Sequence, residues 1–571
     1  MIFDSTLSIT NQEGKKGEPM NRFTKIFLSI LLLSTSTILY PCNPCSTCDT
    51  SASCITEYGN SCCGGCSNSN HCECRVQAKS TFTMNPQWQV GSPEYLIGFR
   101  DRMDIRKNGH GGAFQAAIFG GKSTHSDRLA QYFTPYCKNK FVVSGTNGDI
   151  CPQNFNVVLQ DSIYNGTISF CPSVSTVGLG LVYRQNINRF FDNYDPDKKH
   201  WYFEISTPLT HIETTMCLSE CITTSGEALV VPGLDQTFYN SMTQAFNQPS
   251  WKYGKISNCS ECSKTRLADI TLMIGYETLK CSSVTLDGYV GLLIPTGNKR
   301  CNHYVFEPLV GHDGHWGIIK GMHLKGTFWE NEAGDILLEA AHDINGMYLF
   351  EREQIRSFDL KGKPWSRYME VYTSEEQAQE AAALETAGNL NAAQYLSSPG
   401  INTFTQCVDV RPGLSTAINT ALILSSKKFR GEVGYNMFWR QTECLDLCCW
   451  KEGAAIKAAE GGGNTMPLRT ISRDNSIYIA NPSLNISSPE LVNITTPIEQ
   501  YSTSIIKKCD LDLESATHPS MLINTLYLSV GGHFDEREYP LFFDLGGSYE
   551  FDFENVTLNR WTVWAKGGIS F

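Results

Sequence analysis

The sequence predicts an all-β chain: a transmembrane antiparallel β-barrel of about 12 strands, within roughly 10–16. Three observations point to it. Apolar and polar side chains alternate with a period of two in segment after segment, so each segment has one apolar and one polar face. The connections between these segments alternate between short and long. Aromatic residues gather at segment ends (Trp201, Tyr276, Trp316, Trp329, Tyr348, Trp439, Trp561), where side chains at a membrane interface sit.

Residues 1–41 form a signal region. The first nineteen residues are polar, and Met20 is a candidate true start. Arg22 and Lys25 then precede an apolar run from Ile26 to Leu33, the pattern of a cleavable export signal and too short for a spanning helix. Residues 42–80 follow as a cysteine-rich extension, expected in the periplasm. It holds Cys42, Cys45, Cys48, Cys54, Cys62, Cys63, Cys66, Cys72 and Cys74 among Gly, Ser and Asn. With almost no large apolar residue it cannot build a core, and in an exported protein such cysteines are expected in disulfides rather than on zinc. Cys137, Cys151, Cys259, Cys262, Cys444, Cys448 and Cys449 are further disulfide candidates, all in long connections.

Residues 81–571 carry the barrel. Strands are predicted near 111–121, 174–187, 200–217, 266–279, 283–295, 315–329, 335–350, 404–424, 428–440, 520–531, 541–553 and 559–571. In the ninth, Phe429, Val433, Tyr435, Met437 and Trp439 share one face, while Arg430, Glu432, Asn436 and Arg440 share the other. Phe438 alone breaks the alternation. The eleventh sets Leu541, Phe543, Leu545, Tyr549 and Phe551 against Asp544, Glu550 and Asp552. Two inserts depart from the pattern. Residues 374–396 predict a helix started by Ser374 and Gln377, expected on the surface or in the barrel mouth. Residues 451–464 predict a short helix ending in a glycine run.

The last strand, 559–571, places Trp561, Val563, Ala565, Ile569 and Phe571 on one face and Lys566 on the other. With the signal segment, this strand and its terminal Phe resemble bacterial outer-membrane β-barrels of porin-like type, whose last strand is read by the barrel assembly machinery. The resemblance is at the level of the class and implies residence in the outer membrane, contact with its lipid, a periplasmic C-terminus and short periplasmic turns. Counting back from that end assigns a side to every connection: those on the periplasmic side are all short, and all of those outside except 554–558 are long. The last strand is then expected to close the barrel against 111–121.

Composition excludes other classes. A net charge of −12 argues against nucleic acid as a partner. A mean hydropathy of −0.23 excludes a bundle of membrane helices. Gly120, Gly121, Lys122 and Ser123 imitate part of a phosphate-binding loop, but Ala116 stands where the first glycine is needed. His312 and His315 are expected as solvated loop residues. No catalytic constellation, metal site or cofactor is expected, and the chain is not read as an enzyme. The inward-facing residues are expected to be Arg184, Asp287, His323, Lys325, Lys428, Arg430, Glu432, Arg440, Asp544, Glu550, Asp552 and Lys566, a mixed-charge lining suited to a hydrated pore. The leading expectation is a porin-like channel for passive diffusion of small hydrophilic solutes. The alternative is a structural envelope protein, cross-linked by disulfides to its own copies or to neighbouring proteins. A barrel enzyme or adhesin is a third.

Overall fold

The computed structural model describes residues 78–571 except 97–109, 136–137, 145–148, 151, 156, 158–163, 191–198, 226–238, 257–261, 282, 362, 378–379, 381–382, 384–395, 448–449, 451–452, 457–505 and 555–557. Twelve strands form the wall: β1 (Gly112–Thr124), β2 (Ser173–Asn186), β3 (Trp201–Thr215), β4 (Ile270–Lys280), β5 (Val284–Ile294), β6 (Gly317–Glu330), β7 (Ile336–Leu349), β8 (Gly413–Ser426), β9 (Phe429–Arg440), β10 (Met521–Phe534), β11 (Leu541–Glu554) and β12 (Asn559–Ser570). Each pairs antiparallel with its neighbour in sequence, and β12 returns to β1, from Ala113 opposite Ser570 to Thr124 opposite Asn559. Closure leaves the wall no unpaired edge, which a spanning sheet requires because lipid cannot satisfy free N–H and C=O groups.

The alternation puts one face of each strand outside. Ile118, Val177, Leu528 and Val563 are each more than half exposed, a value that apolar side chains in strand centres reach only when they face the barrel exterior. Aromatics frame this apolar band at both rims. Trp201 with Tyr276 (ring centroids 4.7 Å apart) and Phe534 with Phe543 (6.2 Å) mark one end; Trp316, Tyr348 and Trp561 mark the other. The terminal Phe571 packs at the first rim, its ring 6.3 Å from that of Tyr183 and over Gly112, where any side chain would strike it.

The two ends of the barrel differ. At the rim holding Gly112 and Phe571, neighbouring strands are joined by short turns such as 281–283, 331–335 and 427–428. At the opposite rim the long connections fold together into a dome. Its sheets include Lys140–Ser144, Asn165–Phe170 and Leu218–Thr224, and Arg352–Ser357, Thr405–Arg411 and Cys444–Asp446. Aromatic side chains from four connections meet beneath them. Trp365 lies 5.7 Å from Phe141, 5.9 Å from Phe170 and 6.0 Å from Phe246, and its indole N–H donates to the Phe133 carbonyl at 3.0 Å. Phe306 packs 5.2 Å from Phe133, and Trp251 stacks on Tyr368 at 4.9 Å. Dry aromatic contacts from separate loops turn them into one packed unit.

Three sequence expectations need correction. The strand expected at 404–424 is two strands, because Pro412 lacks an N–H and Gly413 adopts φ +76°, turning the chain from the dome sheet into the wall. The strand expected at 266–279 breaks at Ala268 and Asp269. Cys262–Leu267 pairs with the upper half of β3, and β4 with its lower half. Within 451–464, Ala455–Ile456 is extended and pairs with 371–372 instead of forming a helix. The helical insert begins as expected, with the Gln377 N–H donating to the Ser374 hydroxyl at 3.2 Å, while most of 378–396 lies outside the described residues. Phe438, the exception on β9, points inward and joins the dome core.

Candidate functional site

The inward faces of β1–β12 carry ionisable residues, and a hydrated bore would leave them wet. They are buried: Asp544, Lys566, Glu339, Asp343, Asp287, Arg430 and Glu432 are each less than a tenth exposed. Each is also partnered. Arg184 lies 3.9 Å from Glu204 and 3.6 Å from Asp287, with its guanidinium 3.6 Å above the Tyr202 ring. The Tyr202 hydroxyl donates to Asp287 at 2.6 Å. Lys325 reaches Glu339 at 2.9 Å, His323 reaches Asp343 at 2.6 Å, and Arg430 stands 3.8 Å from Glu432. The Trp564 indole donates to Asp544 at 2.9 Å, and Arg560 grips Glu550 at 2.7 and 2.9 Å. Such pairing is needed because an unpaired charge removed from water costs several kcal/mol, on the order of 3–5 when a partner is deleted.

What excludes the water is the chain itself. Residues 78–84 lie within the dome. Arg367 donates to the Ala78 carbonyl at 2.7 Å, the Lys79 N–H to the Tyr132 carbonyl at 3.0 Å, the Tyr132 hydroxyl to the Thr81 carbonyl at 2.9 Å and Arg300 to the Phe82 carbonyl at 2.6 Å. The chain then descends into the bore. Arg560, near the dome end of β12, donates to the Asn85 carbonyl at 3.1 Å, and the Gln87 amide donates to Thr562 at 2.7 Å. Deeper, Trp88 stacks on Phe119 of β1 at 5.9 Å with the rings 2° from parallel, and Lys566 sits 5.7 Å from the indole. Gly180 of β2 lies against the same ring; any Cβ there would overlap it. On the opposite wall, Asn419 and Asn436 donate to the Gly91 carbonyl at 2.8 and 3.1 Å. A short helix, Pro93–Leu96, ends the described stretch. Glu94 accepts from the Trp88 N–H at 2.7 Å, and the Tyr95 hydroxyl donates to Glu204 of β3. Residues 85–96 thus touch both walls of the bore.

Trp88 adopts φ +56° and Gly91 φ +98°. The left-handed geometry at Trp88 costs about 1–2 kcal/mol, which the stacked ring and the Glu94 hydrogen bond offset. At Gly91 the close approach to Ala417 and Asn345 leaves no room for a side chain.

Between bore and dome lies a charged knot. Arg356 and Arg440 hold Glu443 at 3.3 and 2.7 Å, and Arg300 holds Asp313 at 2.8 Å. Burial alone would raise the Glu443 carboxyl, but Arg356 and Arg440 outweigh it and pull it down to about 2. Burial pushes His518 down to about 3 and His315 to about 4, so both imidazoles are neutral near pH 7. His315, expected in solvent, donates from Nδ1 to the Phe350 carbonyl (2.7 Å) and accepts at Nε2 from the Gln354 amide (2.6 Å), while His312 pairs with Asp269 at 2.7 Å. The G-H-D-G-H loop therefore ties the dome to the wall.

Of the residues expected in the lumen, the structure brings Arg184, Asp287, His323, Lys325, Arg430, Glu432, Asp544, Glu550 and Lys566 to the interior. Arg440 sits higher, in the knot with Glu443. Lys428 lies in the exposed turn before β9. Asp552 falls on β11 opposite Ile523, and its side chain is outside the described residues. Trp561, Val563 and Ala565 face outward, with Ile569 and Phe571 partly covered at the rim. Cys444 and Cys217 are disulfide-bonded, whereas Cys262, expected in a bridge, is a free, half-buried thiol. The candidates Cys42, Cys45, Cys48, Cys54, Cys62, Cys63, Cys66, Cys72, Cys74, Cys137, Cys151, Cys259, Cys448 and Cys449 lie outside the described residues. Sequence reasoning passed over residues 85–96. Their Asn, Pro, Gln and Gly content marks irregular chain and carries no sign of a place inside a barrel.

No protein-family model matches the chain, and no curated protein matches it. Among solved structures it is similar to the β domain of the Bordetella autotransporter BrkA, at 8% identity and TM-score 0.28 over 81% of this chain and 99% of that one. A Pseudomonas aeruginosa FadL homologue is similar at 8% identity and TM-score 0.26, over 82% and 93%. The translocator domain of the autotransporter NalP from Neisseria meningitidis gives 8% and 0.23, over 82% and 91%. Likenesses this distant say nothing of activity, and the geometry of the wall itself carries the assignment. A closed twelve-strand antiparallel wall, an apolar outer band with aromatic rims, short turns at one end and long connections at the other give this chain the fold of an outer-membrane β-barrel.

Proposed function

We propose that the protein resides in the outer membrane as a closed barrel with a structural role, carrying a folded dome on the outer face and sealing its own bore. The observation that supports this most is residues 85–96, which run between opposite walls while the surrounding charges are paired and buried. In this reading the lipid of the outer membrane covers the apolar band, the assembly machinery engages β12, and the protein has no catalytic function. Exposed thiols at Cys171, Cys221, Cys301 and Cys407 on the dome supply points for disulfides to neighbouring envelope proteins or to further copies.

Passive diffusion of small hydrophilic solutes is the second reading. It is favoured by the polar lining and by the polar attachment of residues 85–96, whose hydrogen bonds to Thr562, Asn419, Asn436 and Arg560 water could replace. It requires that segment to leave the bore. Planar-bilayer recording of the folded protein separates the two. The closed reading expects no steady conductance; a steady open channel in the unmodified protein would overturn it.

A further inference from the structure

The path of the chain through the barrel has a topological consequence for everything N-terminal to Ala78. The strand that opens the wall, β1, starts at the short-turn rim with Gly112, next to Phe571: the Gly112 N–H donates to the Phe571 carbonyl at 3.1 Å, and the Phe571 N–H donates to the Gly112 carbonyl at 2.8 Å. His110 and Gly111 precede Gly112 at this rim, residues 97–109 lie outside the described residues, and Leu96 and Tyr95 stand beside Glu204 in the lower half of β3. Read backwards from Leu96, the chain climbs past Trp88 and Gln87 to Asn85, which is bonded to Arg560 at the dome end of β12. By Ala78 it has entered the dome, where Arg367 and Tyr132 hold its backbone.

We infer that the cysteine-rich segment 42–74 lies on the dome side of the membrane, displayed at the outer face, rather than on the periplasmic side that the sequence alone suggested. The reasons are chain continuity and exclusion. Ala78 is fully buried in the dome with its carbonyl held by Arg367, so the chain leaves toward its N-terminus from the dome. From there a return to the short-turn side would need a second passage through the bore. Residues 85–96 already occupy that bore, packed against Gly180 and Gly91 contacts that leave no space for one added carbon. A path through the lipid is closed to a segment of Cys, Gly, Ser and Asn, whose backbone groups would find no partners there. Crossing therefore happens while the barrel is assembling, before Trp88 seats, and Trp88 and Arg560 then hold the threaded chain in place. The outer placement puts these nine cysteines on the same side as the exposed dome thiols Cys171, Cys221, Cys301 and Cys407.

This rests on the proposed orientation, with the dome outward, and the test is built to fail separately from it. Three antibodies are raised against linear peptides of the unmodified protein: residues 49–60 in the cysteine-rich segment, 226–238 in a dome connection, and 534–540 at a short turn. Each is applied to intact cells and to cells with a permeabilised outer membrane. The expected result is that the antibodies to 49–60 and 226–238 bind intact cells, and that the one to 534–540 binds only after permeabilisation. Binding of the 226–238 antibody to intact cells, with 49–60 reached only after permeabilisation, would overturn the inference while leaving the orientation standing. Binding of 534–540 but not 226–238 to intact cells would overturn the orientation and the outer display together. Trypsin gives a second readout on the same cells. Cleavage after Arg75, followed by a disulfide reductant so that bonds to dome thiols do not hold the fragment, should release the 49–60 epitope from intact cells, and its retention there would count against the inference.

Discussion

Arg560 links three parts of the molecule: the wall through β12, the lumen through Glu550, and the threaded segment through the Asn85 carbonyl. Replacing it by Ala leaves Glu550 buried without its partner and releases the chain at the top of the bore. Arg560→Ala is expected to lower stability by about 3–5 kcal/mol, read as a fall in the temperature at which the detergent-folded protein loses its compact gel mobility. The double variant Arg560→Ala, Glu550→Gln should recover part of that loss, because the stranded charge is gone. In the dome, burial and the neighbouring Asp359 raise the Asp512 carboxyl to about 6. Its folded pKa lies above the ordinary aspartate value of 3.8, opposite to the case of a salt-bridged acid. The ionised form is the disfavoured one, and the cost is absent below about pH 4 and complete above about pH 6. Asp512→Asn should therefore stabilise the dome by about 1–2 kcal/mol at pH 8 and change little at pH 4, which thermal unfolding at the two pH values would reveal. Glu443 has the ordinary sign: its contribution is lost as pH falls from 4.5 toward about 2.

The strands were legible because a wall between lipid and interior imposes period two on every segment, and the sequence obeys it at β9, β11 and β12. The seam of β12 on β1 and the grouping of short and long connections at opposite rims were both read by counting strands back from 559–571. Two breaks were missed, at Pro412–Gly413 and at Ala268–Asp269, because extended chain directly precedes each wall strand: the dome strand Thr405–Arg411 before β8, and Cys262–Leu267, which continues the wall sheet on β3, before β4. The contents of the bore were not legible. Residues 85–96 pack by single contacts to residues far away in sequence, such as Trp88 with Phe119 and Gln87 with Thr562, and such contacts leave no periodic trace. The lining residues were identified from their polarity, yet polarity alone does not distinguish a charge facing water from one facing its partner. At the element scale, Gly180 of β2 is the position where wall and threaded segment meet most closely. Gly180→Ala should leave the strand pairing intact and displace the Trp88 ring, costing about 1–3 kcal/mol. The sign to measure is a red-shifted, more quenchable tryptophan emission in a protein that still migrates as a folded barrel.

Taken whole, the molecule is a wall, a roof and a strut. The wall shields backbone polarity from lipid. The dome gathers the long connections around Trp365, and residues 78–96 join the two by starting in one and ending in the other. Stability is consequently shared: loosening the strut exposes both the lumen ion pairs and the Glu443 knot to water. Occupancy of the bore by residues 85–96 underlies the closed state, the second reading's need for displacement and the side on which the N-terminal cysteines emerge. The most direct measurement places a photo-crosslinking benzoyl-phenylalanine at position 88 of the membrane-inserted protein and identifies the linked peptides by mass spectrometry. Links to peptides containing Phe119 and Gly180 are the expected result. Efficient photolysis that yields only solvent or lipid adducts, in a protein with the mobility of the folded barrel, would contradict a filled bore.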